Sequence, residues 1–256
     1  MLFRSRRDEL RLKHLLTMSV GLSWDEWTHP YSDPRNDLAA MDRSKDLVKY
    51  VLERPVIAPP GVRFAYSGGI SVVLGEIVHR RSNLATGEFA KRFLFDPLGI
   101  SNYRWLEWRR GILDTGGGLI LRPRDMAKIG QLLLNGGRWQ GKQIVSEQWV
   151  ADSSRNYVDA RQFPPWHKDD GYGYQWWLRS FHVHERMIPS YHAAGRCGQF
   201  IVVFPSLQLV AVFTGWNDNE LGVQPFDMLQ RYILPATVRP SALLRSQGRA
   251  VSSTSM

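Results

Sequence analysis

The chain has 256 residues, 43% of them hydrophobic and 22% charged, with one cysteine and a formal net charge of +9. This length and balance exclude disorder over most of the chain, a collagen-like or low-complexity protein, a disulfide scaffold and a cysteine-based zinc site. Residues 1–16 hold five Arg/Lys against two acids and residues 231–256 hold four Arg and no acid, so most of the excess charge reads as solvated ends and not as the basic face of a nucleic-acid binder.

In chain order, the opening MLFRSRRDELRLKHLL has no continuous apolar stretch and does not read as a secretory signal. As encoded, the chain is expected to be cytoplasmic, with export requiring a signal from a lost N-terminus. No apolar run approaches the ~20 residues that span a bilayer. Ile70, Val73, Leu74, Ile77 and Val78 fall at helical spacing and predict an amphipathic helix to about Arg81. Thr86 is the expected cap of a second helix carrying Phe89, Phe93 and Leu94 and stopped before Pro97. A third starts at Pro123, stripes Met126, Ile129, Leu132 and Leu133 along one face, and ends at Asn135-Gly136-Gly137. Ser146 caps a short helix through Trp149. The period then changes. Phe200–Phe204 and Leu209–Phe213, joined by Pro205-Ser206-Leu207-Gln208, predict a hairpin of two buried strands. Residues 222–234 read as a closing helix, and the Ser-rich stretch 240–256 as a disordered tail. Helices in the middle and strands late give an α+β fold class.

Several chemistries find no signature. No Ser is followed three positions later by Lys, and there is no G-x-S-x-G, H-E-x-x-H, P-loop or G-x-G-x-x-G. His182 and His184 would share a face of an extended strand, yet no carboxylate or Cys motif accompanies them, and exposed strand histidines are the preferred reading. Cys197 reads as packing. Two glycine-rich segments stand out. Pro60–Gly69 precedes the first amphipathic helix, and Tyr191-His192-Ala193-Ala194-Gly195-Arg196-Cys197-Gly198 precedes the hairpin. Such breaks let a backbone approach a ligand closely, or simply turn the chain.

His14-Leu-Leu-Thr-Met-Ser-Val-Gly-Leu-Ser-Trp24 resembles the H-L-L-T-M-x-S-G-L segment of the β-lactamase-related serine hydrolases. These include class C β-lactamases, esterases, penicillin-binding peptidases and 6-aminohexanoate-dimer hydrolases. Pro60-Gly-Val-Arg-Phe-Ala-Tyr-Ser-Gly-Gly69 resembles their Tyr-Ser/Ala-Asn motif. Pro97–Ile100, Gly116–Leu119, Arg122–Asp125 and Gly198–Pro205 follow in the family's order. The resemblance spans about residues 10–234 and implies residues 1–239 to be a partial β-lactamase/transpeptidase-like domain.

The resemblance implies an acyl-enzyme mechanism on a small-molecule ester or amide, without metal or cofactor. A Ser of an S-x-x-K motif attacks the carbonyl, its Lys and a Tyr manage the proton, and backbone amides hold the oxyanion. Tyr66 matches the family Tyr as the catalytic proton acceptor and donor. Ser67 and Gly68 complete that motif on the substrate side. The 191–195 strand stands where K-T-G belongs, with His192 its only polar candidate, Ala193 or a neighbour the amide donor, and Gly195 the glycine.

Three departures qualify this. Gly68 replaces the motif's frequent Asn, and no Lys or Thr occurs in Tyr191–Gly195, which favours an esterase or amidase branch over a β-lactamase proper. No S-x-x-K precedes His14, so the chain is expected to be an N-terminally truncated relative, inactive as encoded and lacking the first strands and nucleophile helix. Two rivals stay open. One is a non-catalytic binding protein, in which Trp176-Trp177 or Trp105 and Trp108 line a cleft. The other reads Ala65-Tyr66-Ser67-Gly68-Gly69 as an A-x-S-x-G nucleophile elbow. An elbow would let a fluorophosphonate probe label Ser67. The lactamase-like reading expects no adduct there, and peptide mass spectrometry separates the two.

Overall fold

The computed structural model describes residues 8–108, 111–161, 170–216 and 224–238. The 240–256 tail, the 239 boundary and the first two residues of the expected closing helix lie outside the described residues. The elements in order are α1 (Leu12–Leu16), α2 (Asp37–Arg43), α3 (Leu47–Leu52), α4 (Gly68–Ser82), α5 (Thr86–Ala90, running on as a π-helical turn Lys91–Phe95), β1 (Tyr103–Trp105), β2 (Leu119–Leu121), α6 (Pro123–Leu134), β3 (Arg138–Trp139), β4 (Lys142–Gln143) and α7 (Glu147–Ser153). There follow β5 (Gly171–Tyr172), β6 (Trp177–Val183), β7 (Arg186–Gly195), β8 (Gln199–Phe204), β9 (Leu209–Phe213), α8 (Gln224–Met228, then a π-helical turn Leu229–Ile233) and α9 (Leu234–Thr237). Strands β5 to β9 form one antiparallel sheet in sequence order, and β1–β2 and β3–β4 are separate hairpins. The α+β expectation holds.

The sheet is packed on both faces because its strands alternate apolar side chains. Phe181, Val183, Ile188, Phe200, Val202 and Phe204 face the C-terminal helical segments through Phe226, Leu229 and Leu234. Tyr191, Ile201 and Val203 face α6 through Met126, Ile129 and Leu133. A third core joins α1 to α4, with Leu15, Met41, Val51, Ile70, Val72 and Val73, and with Met18 from the loop after α1. Of the expected hairpin, β8 is buried, whereas in β9 only Ala211 is, because β9 is the edge strand of the described sheet.

Helix α4 departs most from its sequence pattern. Instead of an amphipathic stripe, its first two turns are buried nearly all round, with Gly68, Gly69, Ile70, Ser71, Val72, Val73 and Gly75 all inside. The apolar period missed its start because the opening residues are glycines, which carry no side chain to count. Ser67 is its cap, with the hydroxyl accepting from the Ile70 amide. Thr86 does not cap α5. Its hydroxyl donates to the Gly75 carbonyl at 2.9 Å, tying α5 back to α4, while Ala85 holds the cap position without a side-chain bond. Ser146 caps α7 as expected, accepting from the Trp149 amide. The closing helix runs without a break from residue 224 to 237, with a π-helical turn at Leu229–Ile233 between two α-helical stretches. His182 lies on β6 but His184 sits in the following turn with φ +53°, and no group of three or more metal-ligating side chains occurs among the described residues.

Gly69 fixes how closely α4 approaches its neighbours. A Cβ there would lie 2.5 Å from the Trp24 ring and 2.7 Å from Val51 Cγ2. Gly69→Ala is therefore expected to cost about 1–3 kcal/mol by overpacking, lowering the melting temperature by several degrees. Gly99→Ala, where nothing lies within 4 Å, is the control for simple loss of glycine. Its φ of +62° sets a backbone cost of about 1 kcal/mol. Thermal melts of both variants give the comparison.

Candidate active site

Helix α4 begins where an extended strand-like segment ends, and this junction carries Tyr66. The ring is half-buried. It stacks on Trp177 with centroids 5.6 Å apart and planes 17° from parallel, and it meets Trp27 edge-on at 5.8 Å. Trp177 opens β6 and pairs across the sheet with His192 of β7. Strand β7 then continues through Ala193, Ala194 and Gly195, which among the described strands pair with β8 on one edge only. Tyr66 thus stacks on the residue that pairs with His192, and Trp177 links the segment before α4 to strand β7.

Residues beyond those segments complete the site. The Glu26 carboxylate, 4% exposed, accepts from the Trp24 indole N–H at 2.7 Å and from the Gly68 amide at 2.8 Å. Tyr31 lies under the Arg196 guanidinium, 4.8 Å from ring centroid to charge, which pins the β7–β8 turn to the loop after Glu26. On the other side the Asp114 carboxylate accepts from the Gly116 and Gly117 amides, both at 3.0 Å. Thr115 donates to the Ser71 carbonyl at 2.6 Å, and a Cβ on Gly116 would lie 3.1 Å from the Gly68 carbonyl oxygen. The Asp114–Gly118 loop therefore grips the first turn of α4.

Burial dominates the electrostatics. It pushes the Glu26 carboxyl up to about 7, with the Asp37 and Asp114 charges adding to it, while the bonds from Gly68 and Trp24 pull the other way. Burial also raises Asp114 against the pull of its two amides. Tyr66 is held well above the ordinary phenol range, first by burial and then by Glu26, Tyr31 and Asp114.

The remaining expected site residues take different places. Ser67 is 2% exposed and its hydroxyl is spent on the helix cap. Its φ of −147° and ψ of 112° are ordinary extended values, whereas an elbow nucleophile sits on a strained turn. Gly68 contributes its amide, to Glu26 and not to a ligand. His192 is fully buried, with its ring against Phe226 at 5.0 Å and Phe200 at 5.9 Å. That is core packing beneath the C-terminal helices, not the place of a charged end in the site. Ala193 packs in the α6 core, and Gly195 ends β7, where a Cβ would press on Gln199. Trp176 and Trp177 point to opposite faces. Trp177 meets Tyr66, and Trp176 meets Tyr191. Trp105 turns its indole N–H to the Asp114 carbonyl.

Sequence reasoning missed Glu26, Tyr31 and Asp114, and it named Trp177 only as a candidate cleft aromatic. For Glu26 the available signal was an acid lodged between two tryptophans, Trp24-Asp25-Glu26-Trp27, directly after the H-L-L-T-M segment.

Since the Glu26 carboxyl is raised on folding from an ordinary 4.5 to about 7, the folded chain holds a proton there that the unfolded chain has lost. Stability therefore falls as pH rises from about 4.5 to 7, by about 3 kcal/mol from this group. Glu26→Gln keeps an acceptor and removes the charge. It should melt several degrees above the native chain at pH 8 and level with it near pH 4.5, as read by denaturation at the two pH values.

The Beta-lactamase family matches residues 2–221. A 6-aminohexanoate-dimer hydrolase of Paenarthrobacter ureafaciens is 25% identical over 179 residues, which are 64% of this chain and 45% of that protein. A lovastatin esterase of Penicillium rubens is 29% identical over 136 residues, 50% of this chain and 32% of that one. The chain thus spans less than half the length of these relatives. Among solved structures, a Bacillus anthracis protein assigned as a 6-aminohexanoate-dimer hydrolase superposes with a TM-score of 0.68 at 24% identity, over 85% of this chain and 59% of that one. The penicillin binding protein from Bacillus halodurans gives 0.60 at 17%, over 86% and 72%. These likenesses show a β-lactamase/transpeptidase-like fold, and with the family matched over most of its length the chain belongs to the Beta-lactamase family.

Proposed function

We propose that the chain is the helical and late-strand portion of a serine hydrolase that cleaves a small-molecule ester or amide through an acyl-enzyme, with Tyr66 as its proton-handling residue. Tyr66 carries the reading. It lies at the head of α4, stacked on Trp177 of β6, at the position matching the family's tyrosine. In the reaction a serine Oγ bonds to the substrate carbonyl carbon as the C–O or C–N bond to the leaving group breaks. With a lysine-type ammonium beside it the tyrosine, as tyrosinate, takes the serine's proton as the bond forms and passes it to the leaving group; water then attacks the acyl carbon, releasing the acid and returning a proton to the serine. Backbone amides along Ala193–Gly195 would receive the carbonyl oxygen. Residues 1–239 would form the domain that carries this chemistry. The β-lactamase proper is the less favoured branch, since the strand at 191–195 has no Lys or Thr.

The surroundings of Tyr66 bear on what else the reaction needs. Two carboxylates and burial keep the phenol protonated at neutral pH, so it can donate a proton but not take one from serine. A neighbouring ammonium group would lower it, and an S-x-x-K segment supplies both that cation and the nucleophile. This sequence contains no such segment, and the 256-residue chain by itself is inactive in this reading. Ser67 does not replace the missing serine, because its hydroxyl is buried in the α4 cap.

Mapping the N-terminus of the native protein, together with the DNA upstream of the Met1 codon, tests the proposal. An S-x-x-K in the native protein is expected. In that form Tyr66→Phe keeps the stacking on Trp177 and should lower kcat by about 10²–10⁴-fold. The 256-residue chain should show no ester turnover above background. Turnover by it, with an acyl adduct on Ser67, would overturn the assignment. Binding of an acyl ester or penicillin without turnover by a native protein that starts at Met1 would favour the non-catalytic alternative.

A further inference from the structure

Glu26 belongs to none of the matched motifs. It arrives at the site from a loop 42 residues upstream of its partner, and it is the most deeply buried carboxylate among the described residues near Tyr66. One of its oxygens, Oε2, takes both of its hydrogen bonds. The first comes from the Trp24 indole and holds the side chain inward. The second comes from the amide of Gly68, the first residue of a 15-residue helix, where the helix dipole favours a negative charge. Gly68 is two residues from Tyr66, and Ser67 between them is fixed by its own bond to Ile70. The Leu38 side chain and Glu26 Oε2 lie 3.1 and 3.2 Å from where a Gly68 Cβ would stand, so the carboxylate meets the backbone with no side chain between.

We propose that Glu26 is a positioning residue for Tyr66: its carboxylate, seated on the Gly68 amide, sets the junction Tyr66–Ser67–Gly68 between extended chain and helix and so the place of the Tyr66 ring over Trp177. This role rests on the reading of Tyr66 given under the proposed function. It also makes the junction sensitive to protons. The charged and titratable groups around Glu26 are Asp37 and Asp114, which oppose its ionisation, and the phenols of Tyr31 and Tyr66, which its charge in turn keeps protonated. Asp37 is itself engaged, by Arg54 at 3.1 Å and the Tyr50 hydroxyl at 2.9 Å, and Tyr31 by Arg196. Losing the Glu26 charge near neutral pH weakens the hold on the Gly68 amide, because a charged acceptor makes the stronger bond.

The test is nuclear magnetic resonance of the 256-residue chain labelled on glycine and tyrosine, titrated from pH 5 to 9. Tyr66→Phe identifies the Tyr66 ring signals. These carry a ring-current shift from Trp177, so they report the ring's place directly. The Gly68 amide and the Tyr66 ring signals should shift together, with one midpoint near pH 7. In Glu26→Gln both shifts should flatten, with the Gly68 amide and Tyr66 ring signals held at every pH near the native chain's low-pH positions. In Trp24→Phe, which removes a donor that favours the ionised form, the shared midpoint should move to higher pH. A Gly68 amide that titrates while the Tyr66 ring does not would reduce Glu26 to a helix cap and overturn the proposal. So would titration that persists in Glu26→Gln. If the Gln variant does not fold, the Trp24→Phe titration decides, and a midpoint that stays in place there overturns the role. No step reads turnover, so failure of the hydrolase assignment and failure of this role are separate results.

Discussion

A carboxylate buried against the end of a helix is the constraint around which this site is built. Glu26 gains two hydrogen bonds from N–H donors and a favourable helix dipole, and each of these stabilises its charged form. Burial outweighs them, because water is lost on nearly every side, and the net result is a carboxyl that resists ionisation. A neutral side chain of the same shape would make a more stable protein. A perturbed buried carboxyl beside a helix start and Tyr66 marks this point as a candidate functional site.

The rest of the local architecture serves close backbone approach. The first turn of α4 has no side chain at two successive positions, so the Trp24 ring and Val51 can press on Gly69 and the Asp114 loop can reach the Gly68 carbonyl. Thr115 and Thr86 then tie that loop and α5 to carbonyls of α4. The helix is held from three directions before any ligand arrives. A rigid helix start is what a proton-transferring side chain needs, since its usefulness depends on sub-ångström placement.

Much of this was legible in the residues, and the pattern of success has a physical reason. The stripe from Met126 to Leu133 and the two runs around Pro205 name a helix and a hairpin because each buries one repeating face, and periodicity reports such a face directly. Ser67 as a cap was hidden behind its reading as part of a motif. The true start of α4 was hidden because glycine has no hydropathy to count. Thr86 illustrates a different limit. Its hydroxyl looked like a cap by its place in the chain, yet tertiary contact gave it the Gly75 carbonyl 11 residues away. His192 was the one polar side chain in its segment, and strand alternation alone decided that it faces the phenylalanines of the core. Glu26 and Asp114 could not be paired with Tyr66 at all, since they come from loops 40 and 48 residues distant in the chain, and no local rule links them.

The acidity around Tyr66 finally constrains the chemistry more than the fold does. A phenol between Glu26 and Asp114 is poorly suited to act as a base, because each carboxylate opposes the tyrosinate that would form. The same two charges favour an ammonium ion placed beside the phenol. Such an ion would reverse the balance at Tyr66, offsetting the carboxylates and lowering the phenol into a useful range. The Arg196 guanidinium near this cluster is engaged over Tyr31. The field at Tyr66 thus favours a cation beside the phenol and disfavours the tyrosinate without one.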